Sequence, residues 1–308
     1  MSTTMVEIES RTRGAVERAK LTVKDLKGKV DPDWCPGCGD FGVLTALKQA
    51  IVELGLYPHE VMTISGIGCS SNLPGYINAY GMHTLHGRAL AVATGAQLAN
   101  HELKIIATGG DGDGFGIGGN HFLHTMRRNV DLTYIVMDNQ IYGLTTGQIS
   151  PTSIKGMKTK STPYGSVENP INPIPLAIAA GATYVARGYT GQIKHLVELI
   201  KGGIQHKGFA LIDAFSPCVT YNHDNSHDFF KQRCQKLEDI GHDPTDFNAA
   251  MEKGYMWGEV IPIGLFWKRD DLPSLDQLEP VLDEGGPLAH RPLGVSPETA
   301  KALISELM

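Results

Sequence analysis

The chain has 308 residues, 42% of them hydrophobic, enough to bury the core of one large α/β domain or two small ones. Its formal charge of 27 − 33 = −6, with no long run of lysine and arginine, leaves no electrostatic footprint for nucleic acid. The first 20 residues mix acids with bases and lack an apolar core, so neither a secretory signal nor a membrane anchor is expected and the reading is cytoplasmic.

In chain order, the pattern predicts helix over residues 41–54, strand over 61–65, helix over 89–99, strand over 104–108 and helix over 118–128. Strand 132–137, helix 174–180, strand 183–186, helix 192–205 and strand 209–214 follow. Apolar, β-branched runs alternating with helical stretches are the pattern of βαβ units, so the expected fold class is α/β, a doubly wound, mostly parallel sheet. Residues 150–175, rich in Pro, Thr, Lys and Asn, read as a long ordered loop of the functional kind. Beyond Phe230, Pro262, Pro273, Pro280, Pro287, Pro292 and Pro297 are expected to break any regular element. The division is therefore one cofactor-binding domain over 1–230 and an irregular arm over 231–308 that packs on the domain or on a partner.

The glycines cluster at Gly66 and Gly68, over 109–119 and over 143–147, the usual sign of backbone approaching a ligand. The predicted strand KIIATG runs directly into GDGDGFGIGGNH, and in an open parallel sheet ligands sit beyond the carboxyl ends of strands. Glycine amides there approach phosphate oxygens, whereas a carboxylate is a ligand for Mg²⁺ that bridges them. The next strand, LTYIVMDN, ends at Asn139, with 26 residues between it and Gly112. Gly110, Asp111, Gly112 and Asn139 are thus similar to the thiamine-diphosphate motif, which implies Asp111, the Asn139 side chain and the Ile141 carbonyl as Mg²⁺ ligands. Gln140 stands where that motif often has a second Asn. A second frame, Gly112-Asp113-Gly114, is not excluded by spacing; Asp111 is preferred because it follows the strand more closely. An EF-hand is not supported, because GFGIGGNH lacks the alternating acids and terminal Glu.

Five cysteines, two of them three apart, do not form the framework of a secreted disulfide scaffold. Cys35 and Cys38 lie in DPDWCPGCGD, while Cys69 in SGIGCSSN and Cys218 in FSPCVTYN end predicted strands and reach the same edge. Spacing alone does not decide between zinc and an iron–sulfur cluster. CPGCG, GIGCSSN, HGRALAVATG, GDGDGFGIGG, DNQIYGLTTGQISPT and SPCVTYN occur together in that order. This set closely resembles the β subunit of the 2-oxoacid:ferredoxin oxidoreductases. The resemblance implies that Cys35, Cys38, Cys69 and Cys218 hold a [4Fe–4S] cluster, with Cys234 left out.

It also implies that His86 sits at the diphosphate side and that Tyr142, Leu144 and Thr145 line the reacting end of the thiazolium ring, with Gln148 closing that loop. Ser70 and Ser71 are placed to donate to the cofactor or the cluster. Asn72 stands where some relatives have a substrate-selecting lysine. His83, His121 and His124 are read as helix residues rather than metal ligands. The implied reaction converts a 2-oxoacid, with 2-oxoglutarate or a broad range favoured over pyruvate, and coenzyme A into acyl-CoA and CO₂, reducing ferredoxin. A chain of this length has room for the diphosphate half only, so an α subunit is expected to supply the pyrimidine-binding domain and the catalytic glutamate. Two alternatives stand: a non-oxidative thiamine-dependent lyase or synthase with structural zinc, and a non-catalytic partner that kept the fold.

Overall fold

The computed structural model describes residues 20–283, 286–292 and 294–306. The expectation about the amino-terminal segment falls on residues 1–19 and so lies outside the described residues. Among these described residues ten strands occur in chain order: β1 (Val61–Ser65), β2 (Tyr80–His83), β3 (Lys104–Gly110), β4 (Leu132–Asp138), β5 (Ile141–Tyr142), β6 (Gln148–Ile149), β7 (Tyr184–Tyr189), β8 (Phe209–Phe215), β9 (Cys234–Lys236) and β10 (Ile261–Lys268). Strands β5 and β6 form a small hairpin of their own, and the other eight join in the order β2-β1-β3-β4-β8-β7-β10-β9. Every pairing from β2 across to β7 is parallel, while β10 runs antiparallel to β7 and carries β9 on its outer edge.

The centre of the sheet follows from composition. In β4 (LTYIVMD) and β8 (FALIDAF) every residue is buried, as expected of central parallel strands covered on both faces. Alternate residues feed two cores. Ile106, Ile135 and Ile212 pack with Leu47 of α1 (Asp40–Glu53), whose face is shared with a later helix of the same layer. Ile105, Tyr134 and Leu211 point to the opposite face, against Leu90 of α2 (Ala89–Ala99), Phe122 of α3 (Gly119–Arg127) and Ile174 of α4 (Pro173–Ala179). Leu196 and Ile200 of α5 (Ile193–Gln205) complete the first layer beside α1. The doubly wound architecture is therefore present, and each of the ten predicted elements is found. Strands β3, β4, β7 and β8 run one to three residues further at their carboxyl ends than their hydrophobic runs predicted.

The expectation for the chain beyond Phe230 needs correction. Residues 227–268 supply α6 (His227–Arg233), β9, α7 (Phe247–Tyr255) and β10, so the main sheet is completed by residues assigned to an irregular arm. Pro262 does not prevent this, because pairing with β7 begins only at Gly264 and no ladder bond to β7 is lost at the proline. Residues 150–172 form the expected long loop, closed where the Ile171 N–H donates to the Pro151 carbonyl at 2.7 Å. Among the described residues no helix is long and apolar enough to cross a membrane.

Candidate cofactor site

Strands β1, β3, β4 and β8 are neighbours, so their carboxyl ends deliver four loops to one rim. One cleft there is lined by Cys69, Ser70 and His86, by Gly110 through Asp113, and by Asn139, Ile141, Tyr142, Leu144 and Thr145. Of the residues expected around the cofactor, Ser71, Gln148 and Asn72 lie outside it, Asn72 exposed in the turn after Cys69. The cleft encloses about 80 Å³ on this chain. A complete small-molecule site takes roughly 300–1,000 Å³, so the cleft on this chain alone is small for one.

The two acidic frames have different environments. Asp113 Oδ1 accepts the N–H groups of Ile67 (3.0 Å) and Gly87 (2.7 Å), and His86 Nδ1 stands 2.9 Å away. That carboxylate is spent on holding three loops together. Glycine at position 66 is required by it, since a Cβ there would lie 1.9 Å from Asp113 Oδ2. The segment Gly112–Ile117 winds as a π-turn, with Gly118 N–H donating to the Asp113 carbonyl at 2.8 Å. A Cβ at Gly112 would meet the Tyr142 ring at 2.2 Å, and the Tyr142 hydroxyl donates to the Gly112 carbonyl at 3.0 Å.

Asp111 is buried, and its partner comes from the long loop. Thr152 Oγ1 lies 2.6 Å from Asp111 Oδ2 and 2.9 Å from Asp138 Oδ1. A hydroxyl carries one proton, so one of the two carboxyls must supply the other. Burial, then the adjacent Asp111, raises Asp138 well above the ordinary carboxylate range, which makes Asp138 the protonated member. Thr152 is then free to donate to Asp111. Burial also raises Asp111, to about 6, with the Ser150 and Thr152 hydroxyls opposing the rise. Asn139 Oδ1 accepts the Ile141 N–H at 3.1 Å, and Gln140 between them sits in the left-handed region at φ +57°. Carboxylate, side-chain amide oxygen and backbone carbonyl form an all-oxygen donor set, which suits a hard divalent cation.

The cysteines meet at the same rim. A Cβ on Gly143, within the cleft, would touch both Cys218 Sγ (3.6 Å) and Cys69 Sγ (3.8 Å). The CPGC turn is tied to the Cys218 loop by Gly39 N–H donating to the Pro217 carbonyl at 3.1 Å, and Trp34 Nε1 donates to the Cys69 carbonyl at 2.7 Å. Burial, then the buried Asp40 carboxylate and the other thiols, pushes Cys38 and Cys69 up, Cys69 to about 11. Such thiols release their protons only to a cationic centre. Among the described residues no three His, Cys, Asp or Glu side chains close around one point tightly enough for a single metal ion. Cys234 lies apart, on β9 against Phe230 and its neighbours.

Other expectations differ in detail. His83 is on strand β2, not a helix, with Nδ1 at 3.0 Å from both Ser65 Oγ and the Ser71 carbonyl, while His121 and His124 are on α3 as expected. The reading of the motifs missed Thr152, Asp138 and Asn222. Asn222 Nδ2 donates to the Asn139 carbonyl at 2.9 Å. The signals were present, since Asp138 adjoins Asn139, Asn222 ends SPCVTYN and Thr152 opens the loop judged functional. What no local pattern supplies is their convergence.

Comparison with known proteins agrees with this geometry. Residues 66–214 match the thiamine pyrophosphate enzyme C-terminal TPP-binding domain, and residues 218–284 match the C-terminal part of the pyruvate ferredoxin oxidoreductase β chain. The chain is 48% identical over 259 residues to the β subunit of 2-oxoacid:ferredoxin oxidoreductase 1 from Aeropyrum pernix, covering 81% of each chain. It is 50% identical over 188 residues to the 2-oxoglutarate synthase subunit KorB of Methanocaldococcus jannaschii, covering 61% of this chain and 70% of that one. The solved 2-oxoglutarate:ferredoxin oxidoreductase from Magnetococcus marinus superposes with a TM-score of 0.86 at 46% identity, over 93% of this chain and 97% of that chain. The chain belongs to the β subunits of the 2-oxoacid:ferredoxin oxidoreductases: it is the thiamine-diphosphate-binding subunit of an oxidoreductase that works with an α subunit.

Proposed function

We propose that this chain, with its α subunit, oxidatively decarboxylates a 2-oxoacid, 2-oxoglutarate in preference to pyruvate, and passes the electrons through a [4Fe–4S] cluster to ferredoxin. Balanced, a 2-oxoacid, coenzyme A and two oxidised ferredoxins give acyl-CoA, CO₂, a proton and two reduced ferredoxins. The observation that carries the reading is Gly143, one residue of the cofactor loop, in contact range of both Cys69 and Cys218. Electrons leaving the cleft would meet the cysteine rim at once. Cys35, Cys38, Cys69 and Cys218 would hold the cluster, as the family resemblance implies.

Thiamine diphosphate, when bound, supplies the carbon nucleophile and electron sink for decarboxylation, and a cluster beside it accepts electrons singly. Asp111, the Asn139 side chain and the Ile141 carbonyl would hold Mg²⁺, with Thr152 and protonated Asp138 keeping Asp111 ionised and aimed. His86 would face the diphosphate, oriented by Asp113, while Tyr142, Leu144 and Thr145 would line the reacting end. The shallow cleft and the exposed Ile67, Leu85, Ile117 and Leu144 around it support an α subunit that closes the site and brings the pyrimidine-binding half and the glutamate. The helix Pro297–Glu306, which has no buried residue, is the part of the tail we assign to contact with the α subunit.

The test is to purify the α–β complex, measure iron and labile sulfide, and assay 2-oxoglutarate against pyruvate with coenzyme A and a viologen acceptor. About four irons and four sulfides per chain, with faster 2-oxoglutarate turnover, are expected. Zinc without labile sulfide, and decarboxylation that leaves the acceptor oxidised, would overturn the redox reading. Iron with faster pyruvate turnover would overturn the substrate preference alone.

A further inference from the structure

Between the cysteine rim and the metal-binding turn runs a set of buried side-chain bonds that neither site requires for its own ligands. After Cys218 the chain folds back, and the Asn222 N–H donates to the Cys218 carbonyl at 3.1 Å. The Asn222 side chain then reaches across: its Nδ2 donates to the Asn139 carbonyl at 2.9 Å, and its Oδ1 accepts the Asn225 N–H at 3.0 Å. Asn225 Nδ2 in turn donates to Gln140 Oε1. Asn222, Asn225 and Gln140 are 1%, 2% and 3% exposed, so water does not compete for these bonds.

The turn they grip is strained. Gln140 holds φ +57°, a conformation that Asn tolerates well and longer side chains less so. It is fixed from the other side by Ser153 Oγ donating to the Gln140 carbonyl at 2.6 Å. The same turn presents Asn139 and Ile141 to the cleft. Its shape therefore depends on where Asn222 and Asn225 stand, and their position depends on the Cys218 loop. Gln at position 140, one methylene longer than Asn, is what allows the side chain to meet Asn225.

We infer that Asn222, Asn225 and Gln140 are positioning residues that couple the two cofactor sites, so that ordering of the Cys218 loop by its cluster tightens binding of Mg²⁺ and thiamine diphosphate at the Asn139 turn. Linkage makes the effect reciprocal, because binding at the turn must stabilise the loop by the same factor. The inference rests on the proposed roles of Cys218 and Asn139.

The experiment uses the complete α–β complex in two forms, cluster-loaded and iron-depleted by chelation. Thiamine diphosphate with Mg²⁺ is titrated into each by calorimetry, and the ratio of the two Kd values is read. Wild type is expected to show a ratio of about 10, within the roughly 5- to 150-fold range usual for coupled sites. Asn222→Ala with Asn225→Ala is expected to bring the ratio close to 1 while iron content is retained. A general loss of packing would weaken both forms alike and leave the ratio unchanged. Gln140→Asn keeps a residue suited to the left-handed turn but cannot reach Asn225, and is expected to lower the ratio, with a fall in Tm because Asn225 Nδ2 is left unpaired. In wild type the reduced cluster's electron paramagnetic resonance spectrum is expected to shift when thiamine diphosphate binds, and in the double variant not to shift. A wild-type ratio near 1, or a ratio that survives in both variants, overturns the coupling. A complex that contains no iron overturns the proposed function instead.

Discussion

Thr152→Val removes one hydroxyl and keeps the side-chain shape, which makes it the sharpest test of the Asp138–Thr152–Asp111 chain. A hydrogen bond to an ionised carboxylate contributes about 1.5–3 kcal/mol, and Asp111 needs this one only when ionised. Its loss therefore raises the Asp111 pKa by about 1 to 2 from the present value of about 6. The Mg²⁺ proposed here would bind the ionised form, so in wild type the affinity for Mg²⁺ and thiamine diphosphate should rise with pH through about 6 and level off above it. Comparing ionised fractions, the variant should bind about 5- to 50-fold more weakly at pH 6, about 2- to 10-fold more weakly at pH 7, and like wild type at pH 9. Calorimetric titration at the three pH values measures this, with circular dichroism to verify folding and Thr152→Ser to restore the hydroxyl. Equal affinity of wild type and the Val variant at pH 6 would refute the argument.

Three further predictions separate roles that the sequence motifs leave together. Asp111→Asn should abolish Mg²⁺-dependent cofactor binding, leave the iron content unchanged, and stabilise the metal-free chain at pH 8 by at most about 3 kcal/mol. The sign follows from the raised pKa of about 6: ionisation costs the folded chain stability as pH rises, and the difference should vanish below about pH 4 in denaturant titrations. Asp113→Ala, by contrast, should lower stability at pH 8, because it leaves the Ile67 and Gly87 N–H groups without their acceptor; a variant as stable as wild type would contradict that role. Cys218→Ser should remove or convert the proposed cluster and Cys234→Ser should leave it, as read by iron analysis and low-temperature paramagnetic resonance; the reverse pattern would exchange their assignments. Gly112→Ala should cost about 1–3 kcal/mol through its clash with the Tyr142 ring, while Gly95→Ala, which meets nothing within 4 Å on α2, should be neutral or stabilising; thermal unfolding distinguishes the two.

Much of this molecule is legible in one dimension because its signals are local. A strand buried on both faces must be a continuous apolar run, and 132–137 and 209–214 are such runs; a backbone that closes on phosphate must be glycine-rich, and 109–119 is. The cleft residues could be read from motifs for the same reason, since each motif is one strand end with its following turn. Strand β10 was hidden because Pro262 breaks the local pattern, although only the partner strand decides whether that N–H is needed.

Convergence belonged to the tertiary structure alone. Thr152 is 41 residues from Asp111, and Asn222 is 83 from Asn139. Nothing in a hydroxyl or an amide announces its partner, because a hydrogen bond depends on distances that the packed sheet sets rather than on neighbours in the chain. The sequence by itself determined which strands fill the sheet and which glycine-rich turns leave it. Only the folded rim decided which of two neighbouring aspartates is spent on structure, and which buried side chains join the Asn139 turn to the cysteines.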